Sequence, residues 1–155
     1  MSLANSQQTL KNSIRASGVA LHTGCKVNMT LHPAEVNAGV VFKRTDLPQS
    51  VAFKACAGSV GDTQMATSLQ SQGYHLSTVE HMMSALSGLG IDNVTIEVDG
   101  EELPIMDGSA ATFVFLVQSA GIESQSAAKK FIRIKKPIKV SGADSSQDYG
   151  QSVAL

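Results

Sequence analysis

Ser77-Thr78-Val79-Glu80-His81 opens the run Met82-Met83-Ser84-Ala85-Leu86-Ser87-Gly88-Leu89-Gly90, and the hydrophobic period changes there. Val79, Met82, Met83, Leu86 and Leu89 recur at spacings of three and four, which places them on one face of a helix. Gly88 and Gly90 supply its C-terminal stop. At the other end, Ser77-x-x-Glu80 has the form of a capping box. In such a box the serine oxygen accepts from the Glu80 amide while the Glu80 carboxylate reaches back to the Ser77 amide. An acid in the first turn also gains from the helix dipole. The pattern therefore predicts a cap. An acid followed directly by a histidine also suits a metal hydrolase, and both roles coexist only if the cap leaves the carboxylate partly free.

Upstream of this helix the sequence reads as strands. Thr9 to Ala16 is expected as a first strand, ending at Ser17-Gly18. Gly18 and Gly24 then bracket a short loop that exposes His22 near a turn. Val27, Met29 and Leu31 alternate with Asn28, Thr30 and His32 as far as Pro33, the signature of a half-buried strand. Gly39 to Arg44 is another strand, and Val51 to Ala57 continues the sheet. Met65 to Leu69 and Tyr74 to Leu76 flank Gln70-Ser71-Gln72-Gly73, a predicted hairpin leading into the helix.

Downstream, Asn93 to Val98 alternates again and is turned by Asp99-Gly100. The loop Leu103 to Ser109 starts a second helix, Ala110 to Ala120, with Asp107 or Ser109 as N-cap and Gly121 as its close. The predicted class is α+β, a two-layer domain with a mostly antiparallel sheet and two helices on one face. Residues 1–123 are expected to form this domain and 124–130 a polar linker. Residues 131–155 are expected to begin an incomplete second domain, whose strand from Phe131 to Val140, marked by Pro137, finds no later partner in the chain.

The chain has 155 residues, 43% of them hydrophobic and 16% charged, a globular composition. A formal charge of −1 with scattered basic residues offers no phosphate-tracking surface, so nucleic acid is not an expected partner. Cys25 and Cys56 form neither a C-x-x-C pair nor a disulfide framework and read as free thiols. The first twenty residues lack the apolar core of a signal peptide. No later run reaches the roughly 20 apolar residues of a transmembrane helix. The expected compartment is the cytoplasm.

The histidines alone do not define a metal centre. A catalytic zinc takes three protein ligands and an open position, and no two of His22, His32, His75 and His81 have the spacing of a ready-made site. The helical H-E-x-x-H arrangement is absent because Ala85 stands four residues after His81. His32 and His75 read as surface residues, and His22, held between glycines, is the candidate site residue.

Several motifs in register, taken together, carry a resemblance. They are Gly18-Val19-Ala20-Leu21-His22-Thr23-Gly24, Asp62-Thr63, Ser77 to His81, Ala85-Leu86-x-Gly88-Leu89-Gly90-Ile91-Asp92-Asn93 and Pro104-Ile105-Met106-Asp107-Gly108-Ser109-Ala110. From about Thr9 to Val140 the chain resembles the zinc-dependent UDP-3-O-acyl-N-acetylglucosamine deacetylases of lipid A biosynthesis. The resemblance implies two similar α+β domains with the site between them, Glu80 as general base, His81 as a zinc ligand, and His22 and Met65 lining the substrate site. It also implies that the remaining ligands, in an H-x-x-x-D arrangement, and a further proton-transferring histidine belong to the second domain. The chain by itself is then expected to be inactive for lack of ligands, and to expose apolar surface that favours self-association. The alternative is a non-catalytic α+β module that binds a partner or the substrate without turnover. Ala20 where glycine is usual and Thr112 where proline is usual are local departures from the family pattern.

Overall fold

The computed structural model describes residues 5–137 in full and the backbone of 139–141 and 152–154. In chain order the strands are β1 (Ser6–Leu10), β2 (Ile14–Val19), β3 (Lys26–Pro33), β4 (Val40–Arg44), β5 (Val51–Lys54), β6 (Leu69–Ser71) and β7 (Tyr74–Leu76). Then come α1 (Glu80–Gly88), β8 (Val94–Val98), α2 (Ala111–Ala120), β9 (Ile122–Ala128), β10 (Lys139–Ser141) and β11 (Ser152–Ala154).

The main sheet has the order β2-β3-β8-β4-β5, antiparallel throughout except for the parallel pair β4 and β8. Its register explains the core. Met29 faces Val98 and Leu31 faces Ile96, so the alternating apolar sets of β3 and β8 fall on one face. Phe42 and Phe53, paired across β4 and β5, join them there. Met82, Ala85 and Leu86 of α1 and Phe113, Leu116 and Val117 of α2 cover that face in one continuous cluster. Each of the Met, Leu, Phe and Val side chains among these contributes roughly 1.5–3 kcal/mol on burial, which makes this layer contact the main source of stability. The α+β class with two helices on one face is what the structure has.

Local signals held where no tertiary contact competed. The hairpin between β6 and β7 turns on Gln72 and Gly73, both at positive φ (52° and 82°), as a two-residue loop of that twist requires. Gly90, at φ 70°, ends the first helix, and Gly121, at φ 78°, the second.

Four expectations about strands and linker differ. The segment from Thr9 to Ala16 is two strands, β1 and β2, in separate sheets. Met65 to Ser68 is outside any strand, because Met65 adopts φ 65° and the Ser68 N–H donates to the Asp62 carbonyl. Most of residues 124–130, read as a linker, is strand β9, antiparallel to β1. Its polarity misled because the polar groups are paired: Asn93 Nδ2 donates to Gln125 Oε1 at 2.7 Å and to Gln7 Oε1 at 2.8 Å, while Lys129 Nζ bonds Asp92 and the Gly90 carbonyl. The strand expected over 131–140 is confined, in the described residues, to Lys139–Ser141, and it does find a later partner, since β10 pairs with β11. Cys25 and Cys56 are free and exposed.

Candidate active site

Ser77 follows β7 and does not cap the helix. Its N–H donates to the Glu101 carbonyl and its own carbonyl accepts from Leu103 N–H, a strand-like bridge that withdraws the amide a capping box would use. Its hydroxyl instead meets Ser68 Oγ at 2.9 Å. Thr78 then turns the chain at φ 61°, a conformation that costs a β-branched residue on the order of 1–3 kcal/mol and persists only where the surroundings impose it. Here they do: Thr78 is buried and donates through Oγ1 to Glu102 Oε1 at 3.1 Å.

Glu102 is the hub of the site, with only 2% of its surface exposed. It accepts from the backbone N–H of His22 (3.0 Å) and Thr23 (3.0 Å), from Thr78, and from His22 Nδ1 at 2.8 Å. Burial alone would raise its carboxyl, but the His22 and Thr23 amides and the His22 and Thr78 side chains outweigh that and hold it at about 2. Glu102 was not singled out from the sequence. A Glu101-Glu102 doublet after a turn carries no sign of burial, and its donors come from residues 22, 23 and 78.

The loop bearing His22 and the segment after Glu102 are locked together. Ile105 N–H donates to the Val19 carbonyl at 3.0 Å, Ala20 bridges Pro104, and Gly18 has no room for a side chain against Pro104 and Met106. This contact brings two of the quoted motifs together.

A cavity of about 370 Å³ opens beside the hub, lined by His22, Met65, Ser68, Ser77 and Glu102, among others. That is within the range of small-molecule sites. Met65 projects at its edge with 89% of its surface exposed, so the structure unites His22 and Met65 in one wall. Glu80 and His81 are not part of that wall. Glu80 Oε2 accepts at 3.0 Å from the N–H of Thr67, which is next in sequence to the lining residues Ala66 and Ser68, and His81 follows on the first turn of α1, half-buried. His75 is exposed, as expected. His32 is half-buried between Ser13 Oγ (3.0 Å) and Glu97 Oε2 (3.2 Å).

Zinc was implied by the resemblance, and the donor set tests it. Among the described residues no group of three or more His, Cys, Asp and Glu side chains gathers. His81 is a single imidazole, and catalytic zinc needs three protein ligands. The described residues therefore fit zinc only as a contributor of one ligand.

Fold and site together define a two-layer α+β domain that offers an acid–histidine pair at a helix start and a carboxylate-held histidine in a neighbouring cavity. Residues 7–150 match the family model of UDP-3-O-acyl N-acetylglycosamine deacetylase, LpxC. The chain is also 61% identical over 143 residues to the UDP-3-O-acyl-N-acetylglucosamine deacetylase of Saccharophagus degradans, covering 92% of this chain and 47% of that protein. The chain belongs to the LpxC deacetylase family, and it spans about half the length of the curated relative it matches.

Proposed function

We propose that the chain supplies the N-terminal half of the active site of a zinc-dependent deacetylase that removes acetate from UDP-3-O-acyl-N-acetylglucosamine in lipid A biosynthesis. The observation that carries the reading is the state of Glu80: its carboxylate is not consumed by a helix cap, and only Oε2 takes a hydrogen bond among the described residues. Oε1 is left to accept a proton from water as the water oxygen attacks the N-acetyl carbon. The C–N bond then breaks, acetate leaves, and the nitrogen takes a proton to become the free sugar amine. Zinc, when bound, polarises the amide carbonyl. His81 contributes one ligand, and His22 and Met65 border the substrate.

The other ligands are assigned to a second domain. The relative's greater length supports this, and so do the exposed apolar side chains of Val19 and Leu21, close to His22 in sequence, and of Met65 at the cavity, which suit a partner domain or self-association. The first domain, placed at 1–123 from the sequence, then takes in β9 as well. The proposed setting is the cytoplasm; Cys25 and Cys56 are free and exposed, as thiols in a reducing compartment are.

The test is to assay acetate release by the chain alone and after mixing with a polypeptide carrying the H-x-x-x-D half. Turnover is expected only in the mixture. Turnover by the chain alone would overturn the shared site, and a zinc-loaded mixture that binds substrate without turnover would favour the non-catalytic module.

A further inference from the structure

We propose that Glu102 is a positioning residue that fixes His22 as its Nδ1–H tautomer and so presents Nε2 to the cavity as the atom that holds or moves a proton. The proposal deepens the deacetylase reading and rests on it for its activity arm only.

The geometry is over-determined. An ionised carboxylate has about four lone-pair sites and no proton to give. Glu102 meets four donors: the N–H groups of His22 and Thr23, the Thr78 hydroxyl and His22 Nδ1. Nδ1 must therefore carry the hydrogen, which is the reverse of the tautomer favoured by free neutral histidine. The 2.8 Å contact of Nδ1 with Oε1 has the length of an N–H donor bonded to a carboxylate. Among the described residues Nε2 takes no partner, and the His22 side chain, 38% exposed, borders the cavity.

A carboxylate that served only to staple the loop would need no more than the two amides. The added ring contact fixes which nitrogen is free and steadies the ring if Nε2 gains a proton, the arrangement by which buried acids orient histidines in proton-transfer sites. Thr78 shares Oε1 with the ring, so the strained residue three positions before His81 is what aims this acceptor.

Nitrogen-15 NMR of histidine-labelled protein at mildly alkaline pH reads the tautomer directly and needs no variant. His22 is expected with Nδ1 protonated and Nε2 bare. A spectrum with Nε2 protonated, or the mixture seen in free histidine, would overturn the proposal. In Glu102→Gln the balance is expected to move towards Nε2–H. In the enzyme completed with its second half, kcat should then fall about 10- to 100-fold with little change in KM, and Glu102→Asp should restore part of the loss. A folded Glu102→Gln protein with unchanged tautomer and unchanged pH–rate profile would reduce Glu102 to a staple and also overturn it. If the completed enzyme shows no turnover while His22 keeps its Nδ1–H form, the deacetylase reading fails and the positioning role stands.

Discussion

The backbone N–H of Thr67 donates to Glu80 Oε2 at 3.0 Å, which ties the acid at the start of α1 to the loop carrying Met65. The hydrogen bond holds one oxygen and leaves the other without a partner among the described residues. Glu80→Gln keeps an acceptor for Thr67, so stability should change by no more than about 0.5 kcal/mol. With Glu80 as the proposed base, the same substitution should lower kcat of the completed enzyme by roughly 10²- to 10⁴-fold. Urea unfolding and acetate release measure the two effects, and unchanged turnover would remove Glu80 from the mechanism.

Acid should unfold the domain partly through Glu102. Its carboxyl lies at about 2 against an ordinary 4.5, so between those values the unfolded chain binds the proton more readily. The resulting stability is fully present above pH 4.5 and is lost as pH falls towards 2. The shift corresponds to about 3 kcal/mol. Glu102→Gln should be less stable at neutral pH and should show a flatter acid limb in denaturant titrations. Equal slopes for both proteins would contradict this.

Asn93 should prove to be the pin of the β1–β9 ribbon. It is buried and joins Gln7, Gln125 and the Gly39 N–H. Asn93→Ala strands these groups and should cost about 2–3 kcal/mol, with faster hydrogen exchange through residues 122–128. Coil-like exchange of that segment in the unaltered protein would restore the linker.

Gly18→Ala should loosen the site from below. The added Cβ would lie 2.8 Å from Pro104 Cβ and 2.9 Å from Met106 Sδ. Overpacking of this kind costs about 1–3 kcal/mol. A lower thermal midpoint together with shifted resonances for His22 and Met106 is the expected signature, and an unperturbed spectrum would refute the contact.

Zinc should not bind stoichiometrically to this chain alone at micromolar concentration, since His81 brings one imidazole and no group of three donors gathers among the described residues. Metal analysis after gel filtration checks it. His81→Ala in the completed enzyme should lower the zinc content, and full retention of zinc would reassign the ligand.

The local elements were legible because their causes are local. Val79, Met82, Met83, Leu86 and Leu89 mark the apolar stripe of α1, and Val27, Met29 and Leu31 the inner face of β3, whatever surrounds them. The motif resemblance pointed to Glu80, His81, His22 and Met65, and the structure places His22 and Met65 at one cavity, with Glu80 hydrogen-bonded to Thr67 of the loop that carries Met65.

Other features depended on competition between partners distant in sequence. Ser77 has the form of a cap, but the Glu101 carbonyl claims its amide. Gln125 looks solvated in sequence, yet Asn93 claims its side chain. Glu102 is an unremarkable acid until folding brings residues 22, 23 and 78 around it. Periodicity and turn chemistry thus determined the α+β class, both helices and the core strands β3, β4 and β8 from sequence alone, but not the β1–β9 ribbon. Which polar groups meet was decided only by the tertiary structure, because a buried donor or acceptor is satisfied by whichever partner packing brings within about 3 Å, and that partner leaves no periodic trace in the chain.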